Sequence, residues 1–377
     1  MPSIFLQFAG QGVKYLDELR LLYATYPAIR PFIQEAIAEI KAQASHYDDT
    51  QFGFFSQGLD VDHWIENPAK TPDLGYLLSS PLSHPLIYLC QISNYISIIQ
   101  EGVDQGKLLR NAHSATGFST GVVAAILVSK GLPLDELCEL AIRVQAMFFW
   151  QGVRCQQSMV NHGVSPQLVP ELLNSAEGSP SCMANITGLT RRRLEDAIDA
   201  FSGSGPIYPA YELLPGRWIV AGLPEALIEF GRFLKGRVKK ATWKYIPSTI
   251  AAHCPYLSYA LETCPSDAAR VGAEFRREEM KIPVWSNDTG SDLRTSENIV
   301  WDVMRAYFTR PGIWRLQTAP LFQPTDITYV LDFGPGTGVA SLTESYTSNS
   351  GIQVIRCAVP LGRRRLMEEV LPFMDRS

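Results

Sequence analysis

Long hydrophobic runs are missing from this sequence of 377 residues. Its longest uninterrupted apolar stretch, Val122 to Val128, is far shorter than the about 20 residues a membrane-spanning helix needs. Met1 to Val13 contains no Lys or Arg and so lacks the basic start of a secretory signal. Positive charge is also scarce. A net charge of −5 argues against a nucleic-acid partner, whose footprint would be a strongly basic domain. The seven cysteines (90, 138, 155, 182, 254, 264 and 357) are odd in number and include no C-x-x-C pair. Neither they nor the histidines show metal-ligand spacing, so no metal is expected. Reduced, mostly buried thiols in a cytoplasmic protein are the expectation.

What is present is material for a core. Hydrophobic residues are 46% of the chain, charged residues only 19%, and the length suggests roughly two domains. Strand-like and helical patterns alternate, as in an α/β fold. Ser3 to Phe8 reads as a buried strand that stops at Ala9-Gly10-Gln11-Gly12. Ile29, Phe32, Ile33, Ala36, Ile37 and Ile40 recur at helical spacing. Pro85 to Gln100 and Leu134 to Trp150 also read as helices. The middle of the chain changes character: a strand at Cys182 to Ile186, a helix capped by Thr190, a hairpin of Ile207–Leu214 and Arg217–Ala221 around Pro215-Gly216, and a helix opened by Pro224. That order is ferredoxin-like, and it predicts a small inserted domain at 155–240. Residues 1–154 and 241–377 would form the large α/β domain, with later strands at Ile282–Ser286 and Tyr329–Phe333.

The sharpest chemical signal is Gly117-Phe118-Ser119-Thr120-Gly121 ahead of the small-residue helix that starts at Val122. A G-x-S-x-G at a strand-to-helix turn exposes the serine hydroxyl on a strained elbow, and the helix start supplies main-chain N–H groups. A serine nucleophile needs a base. Six histidines are available (46, 63, 84, 113, 162 and 253), and spacing alone does not choose among them. Gly10-Gln11-Gly12 is either an ordinary tight turn or a loop that aims N–H groups at an oxyanion.

Taken together these blocks resemble the acyltransferase family that loads acyl carrier proteins. Phe8-Ala9-Gly10-Gln11-Gly12 is similar to its opening F-x-G-Q-G, and Gly117–Gly121 to its G-H-S-x-G. His253-Cys254-Pro255 sits where the family has its base. Ile282–Gly290 resembles its P-V-x-S-N-x-T-G strand, and Val330–Gly336 a late strand read E-x-G-P. The resemblance implies an α/β-hydrolase-like large domain with a parallel central sheet, a ferredoxin-like small domain, and a site between them. It implies a ping-pong reaction in which Ser119 attacks a thioester with His253 as base. The oxyanion would be held by the N–H groups of Gln11 and Thr120, and Ser286-Asn287-Asp288 would supply the carbonyl that orients the histidine. Gly10, Phe118 and Gln145 would contact substrate.

Two departures bear on the substrate. Phe118 stands where malonyl-loading relatives have His, and Val144 or Gln145 stands where they have the arginine that pairs with the malonyl carboxylate. Arg143 is a neighbour that a shifted register would bring in. Without that arginine a malonyl carboxylate would be buried unpaired, so a neutral acyl group is expected. The pattern looks most like the starter-unit acyltransferase domain of fungal non-reducing polyketide synthases, many of which carry cysteine where this chain has Ser119. The expected partners are acyl-CoA, an acyl carrier protein that brings its own phosphopantetheine, and an adjacent ketosynthase domain. No cofactor is expected on this chain. Malonyl transfer, thioester hydrolysis and a carrier-docking module without catalysis are the alternatives.

Val330–Gly338 also matches a glycine-rich methyltransferase motif, but too little chain follows for that fold, so Asp332 is expected to be structural. Arg191–Arg193, Lys235–Lys244 and Arg363–Arg365 read as solvated surface. Lys235, Arg237, Lys239, Lys240 and Lys244 are the cations placed best to meet CoA phosphates or an acidic carrier protein.

Overall fold

Ile4–Phe8 is buried along its whole length, the pattern of a strand covered on both faces. In the computed structural model, which describes residues 3–166, 177–238, 241–323 and 326–374, it is the middle strand of a sheet. Ten strands are found among the described residues: β1 (Ile4–Phe8), β2 (Ala112–Gly117), β3 (Met183–Thr187), β4 (Tyr208–Leu214), β5 (Arg217–Ala221), β6 (Thr242–Ile246), β7 (Val284–Trp285), β8 (Gly312–Ile313), β9 (Tyr329–Asp332) and β10 (Gln353–Arg356). The first sheet has the order β10-β9-β1-β2-β7 and is parallel throughout. The second has the order β6-β3-β5-β4-β8.

β3 to β6, with helices Arg191–Asp199 and Pro224–Arg237 between them, make the antiparallel βαββαβ unit of a ferredoxin-like fold. Thr190 caps the first helix by accepting from the Arg193 N–H, and Pro224 opens the second. β6 was not expected. Trp243 and Tyr245 point inward while Thr242 and Lys244 face solvent, so a strand lies inside what reads as a basic cluster. Helix Leu134–Val160 runs unbroken through residue 154, and β6 lies beyond residue 240. The division expected at 154/155 and 240/241 therefore cuts a helix at one end and omits a strand at the other.

Helix Ser80–Gln100 begins a turn before its expected start, with Pro81 in the first turn, where a missing N–H costs nothing. Helix Gly121–Ser129 is buried at every position. Its approach to the sheet is set by two glycines. A Cβ on Gly117 would lie 1.9 Å from the Gly121 carbonyl carbon, and one on Gly121 would lie 2.3 Å from the Ala9 oxygen. The turn between them thus sits directly on the loop that follows β1, at the carboxyl end of two neighbouring parallel strands. Ligand crevices of open α/β sheets form at such ends.

The cysteines are unpaired; six are buried and Cys138 is half-buried. Asp332 is buried, accepting from Gln7 Nε2 at 2.6 Å and from the Gly334 N–H at 3.1 Å, a structural role. Arg363 is not solvated surface: it is buried, bonds Glu101, Ser97 and the Cys357 carbonyl, and lies over the Tyr26 ring. Lys235 pairs with Glu177 and Arg237 covers Phe233, while Lys239 and Lys240 lie outside the described residues. No described helix is long and apolar enough to cross a membrane.

Gly121→Ala is expected to destabilise the fold by more than about 3 kcal/mol, because its contact is with backbone and has no rotamer to escape into. Urea denaturation beside Gly236→Ala, where an added Cβ meets nothing within 4 Å, measures the difference.

Candidate active site

Ser119 follows β2 in the elbow before helix Gly121–Ser129 and has a φ of 55°, a left-handed backbone that a serine rarely adopts. The elbow is held from outside. The buried Asn287 side chain accepts from the Ser119 N–H at 3.1 Å and donates to the Ser119 carbonyl at 2.8 Å, so one amide satisfies both main-chain groups of the strained residue. Asn287 is fixed in turn by the Tyr211 hydroxyl at 3.0 Å and by Gln317, which donates to the Asn287 carbonyl at 3.2 Å and to the Tyr211 hydroxyl. Tyr211 comes from β4, so the ferredoxin-like unit reaches into the large unit at this point.

Opposite stands His253, also left-handed with a φ of 60°. Its Nε2 is 2.9 Å from Ser119 Oγ, and its Nδ1 lies 3.0 Å from the carbonyls of both Ala306 and Arg310. Two carbonyl acceptors can be met only by an N–H, which puts the proton on Nδ1 and leaves Nε2 as an acceptor for the serine proton. Burial pushes the imidazole down to about 4, against the opposing pull of the Arg310 and Ala306 carbonyls. His253 is therefore neutral near pH 7, the state a proton acceptor requires.

Ser119 and His253 line a pocket of about 60 Å³ with Gln11, Gly12, Phe118, Tyr211 and the apolar Met183, Ile219, Ile246 and Ala252. A groove of about 370 Å³ adjoins it and shares Gln11, Gly12 and Phe118. Gly10, Asn185, Arg217 and the start of helix Gly338–Thr347 also line the groove. Phe118 stacks on Tyr211 at 4.3 Å. Among the described residues no hydrogen-bond partner is found for the Gln11 or Thr120 main-chain N–H.

Ser119, His253, Gln11, Gly10 and Phe118 thus meet, and Thr120 is the next residue after the serine. Gln145 stays apart: it is buried in helix Leu134–Val160, donates to the Pro85 carbonyl at 2.8 Å, and does not line the pocket. Arg143 is exposed on the same helix. The carbonyls that hold His253 belong to Ala306 and Arg310 instead of Ser286-Asn287-Asp288. The residues missed by sequence reasoning are Tyr211, Gln317, Ala306 and Arg310. They come from distant chain segments, and only the Asn287 block carried any motif.

Two measurements test this arrangement. Asn287→Ala leaves the buried Ser119 N–H without a partner and takes one of two partners from the Ser119 carbonyl and from the Tyr211 hydroxyl. It is expected to cost about 1–3 kcal/mol of stability and to slow any reaction at Ser119 about a hundredfold by displacing the hydroxyl. His253 has a folded pKa below its unfolded value, so its contribution is unfavourable in acid: stability falls as pH drops from about 6.5 toward about 4. NMR titration of His253 should place its midpoint near the lower value, and His253→Asn should make the stability profile shallower in that window, the loss due to the buried His84 remaining.

The chain is similar to known proteins in sequence and in fold. The family model described as starter unit:ACP transacylase in aflatoxin biosynthesis matches residues 6–253. The fatty acid synthase beta subunit TOXC of Cochliobolus carbonum is 30% identical over 96% of this chain and 18% of its own length. The fatty acid synthase subunit beta of Saccharomyces cerevisiae is 29% identical over 92% of this chain and, again, 18% of its own length. The chain thus spans about a fifth of the curated relatives it matches. Its fold matches an acyl-carrier-protein S-malonyltransferase of Burkholderia pseudomallei with a TM-score of 0.69 at 16% identity, covering 97% of this chain and 99% of that one. The family model takes in the elbow serine and ends on the histidine that faces it, and on that match this chain belongs to the starter unit:ACP transacylase family.

Proposed function

We infer that the chain transfers a short, uncharged acyl group from acyl-CoA, or from another thioester carrier, to the phosphopantetheine thiol of an acyl carrier protein. A single observation carries the reading: a buried serine hydroxyl 2.9 Å from the free nitrogen of a neutral histidine whose other nitrogen is anchored by two carbonyls.

Acylation begins as Ser119 Oγ attacks the thioester carbon and its proton passes to His253 Nε2. The positive charge that forms on the imidazole is met by the Ala306 and Arg310 carbonyls. In this reading the tetrahedral oxyanion accepts from the main-chain N–H groups of Gln11 and Thr120, which have no other partner among the described residues, and such donors are worth most in a site that excludes water. Collapse breaks the carbon–sulfur bond, and the departing CoA thiolate takes the proton from His253. In the second half the carrier's thiol gives its proton to His253 and attacks the Ser119 ester. Ser119 then leaves with that proton, so the protein ends as it began.

The acyl preference follows from the pocket wall. Met183, Ile219, Ile246 and Ala252 offer nothing to a carboxylate, and Gln145 and Arg143 do not line the pocket. A buried, unpaired malonyl carboxylate would be strongly unfavourable there. Arg217 lines the adjoining groove, so malonyl transfer through that residue is the second reading. The fungal starter-loading role, with a neighbouring ketosynthase on the same synthase, fits the family.

Intact-protein mass spectrometry after incubation with acetyl-, hexanoyl- and malonyl-CoA tests the function. A neutral acyl adduct is expected on the native chain and none on Ser119→Ala. A malonyl adduct lost in Arg217→Ala would replace the first reading by the second. Carrier binding with no adduct from any donor would leave a docking module.

A further inference from the structure

His84 and Tyr307 take no part in the steps above, yet they meet beside the residues that do. Tyr307, near the end of helix Ile299–Phe308, is buried edge-on against the His253 ring at 5.5 Å, and its carbonyl accepts from the His253 main-chain N–H at 3.1 Å. Its hydroxyl lies 2.6 Å from Nε2 of the buried His84 in helix Ser80–Gln100, and 3.4 Å from the side-chain oxygen of Gln11. The Gln11 amide nitrogen donates at 2.8 Å to Ser83 Oγ, one residue before His84. Both ends of the Gln11 side-chain amide are therefore held.

A phenol has one proton to give. If Tyr307 gives it to His84, Gln11 loses its donor and His84 must carry its own proton on Nδ1. That nitrogen is buried and has no hydrogen-bond partner. With the proton on Nε2 instead, His84 donates to Tyr307, Tyr307 to Gln11, and Gln11 to Ser83. The unpaired atom is then only a lone pair, which folded proteins tolerate better than an orphaned N–H. Burial supports the neutral ring, pushing it down to about 3.

We propose that His84 and Tyr307 are positioning residues that clamp the Gln11 side chain, through a one-way chain of hydrogen bonds, so that its main-chain N–H keeps facing the oxyanion formed at Ser119. The inference rests on the acyl-transfer reading. The clamp works through the Tyr307 hydroxyl, whose hydrogen bonds go to His84 and Gln11 and not to His253, and this separates its role from proton transfer.

Two readings test it. Long-range nitrogen–proton NMR of the histidine-labelled protein should find His84 neutral with its proton on Nε2 at pH 7; a proton on Nδ1 overturns the chain of donors. Acylation by acetyl-CoA should slow between about tenfold and a hundredfold in Tyr307→Phe and in Gln11→Ala. Affinity for a non-reactive thioether analogue of acetyl-CoA and the midpoint of the pH–rate profile should stay in place. The double variant should be no slower than Gln11→Ala alone, since both remove one clamp. Native rates in Tyr307→Phe, additive losses, or a shifted pH midpoint would overturn the proposal. If the native chain takes no acyl group from any donor, the acyl-transfer reading itself fails, and the NMR result still decides the proton chain.

Discussion

The 2.9 Å contact between Ser119 Oγ and His253 Nε2 joins two residues that both hold left-handed backbone. Each such residue costs on the order of 1–3 kcal/mol unless its surroundings over-determine it. Much of the surrounding structure does that. Gly117 and Gly121 allow the elbow to lie against β1, Asn287 satisfies the main chain of Ser119, and the end of helix Ile299–Phe308 holds His253 by its ring and its backbone. The strain sits at the serine and histidine of the candidate site, and the compensation lies in the scaffold around them.

That scaffold draws on both structural units. Tyr211 of β4 supports Asn287, and Met183, Ile219 and Ile246 from the ferredoxin-like sheet wall the pocket. β8, a two-residue strand following the large unit's own elements, pairs with β4. A Cβ on its Gly312 would run into the Tyr211 ring, so the glycine makes room for the side chain that links the units. The apolar wall and the elbow support are thus one construction: moving the small unit would alter what enters the pocket and how firmly the serine is held.

Burial is the common cause of the electrostatic pattern. It keeps His253 and His84 uncharged and pushes the Tyr211 and Tyr307 hydroxyls up, so the polar groups around the serine are neutral hydrogen-bonding groups near pH 7. In the acyl transfer proposed above, charge would arise only on His253 and at the oxyanion, and the carbonyls and N–H groups would act there in a low-dielectric setting, where they are strongest.

Local sequence determined the parts whose physics is local. The run Ile4–Phe8, the caps at Thr190 and Pro224, the hairpin at Pro215-Gly216 and the Gly117–Gly121 elbow were all legible, because periodicity, fixed φ and close backbone approach leave marks within a few residues. β6 was less so, since its alternation is overlaid by lysines. Tertiary structure decided which of six histidines faces Ser119. It replaced the expected Ser286-Asn287-Asp288 carbonyl with those of Ala306 and Arg310, and it turned Gln145 away to the Pro85 carbonyl. It also turned Arg363 from surface cation into buried anchor. Each of these depends on which segments the folded sheets bring within about 3 Å of one another, and hydrogen-bond partners separated by scores of residues leave no periodicity to read.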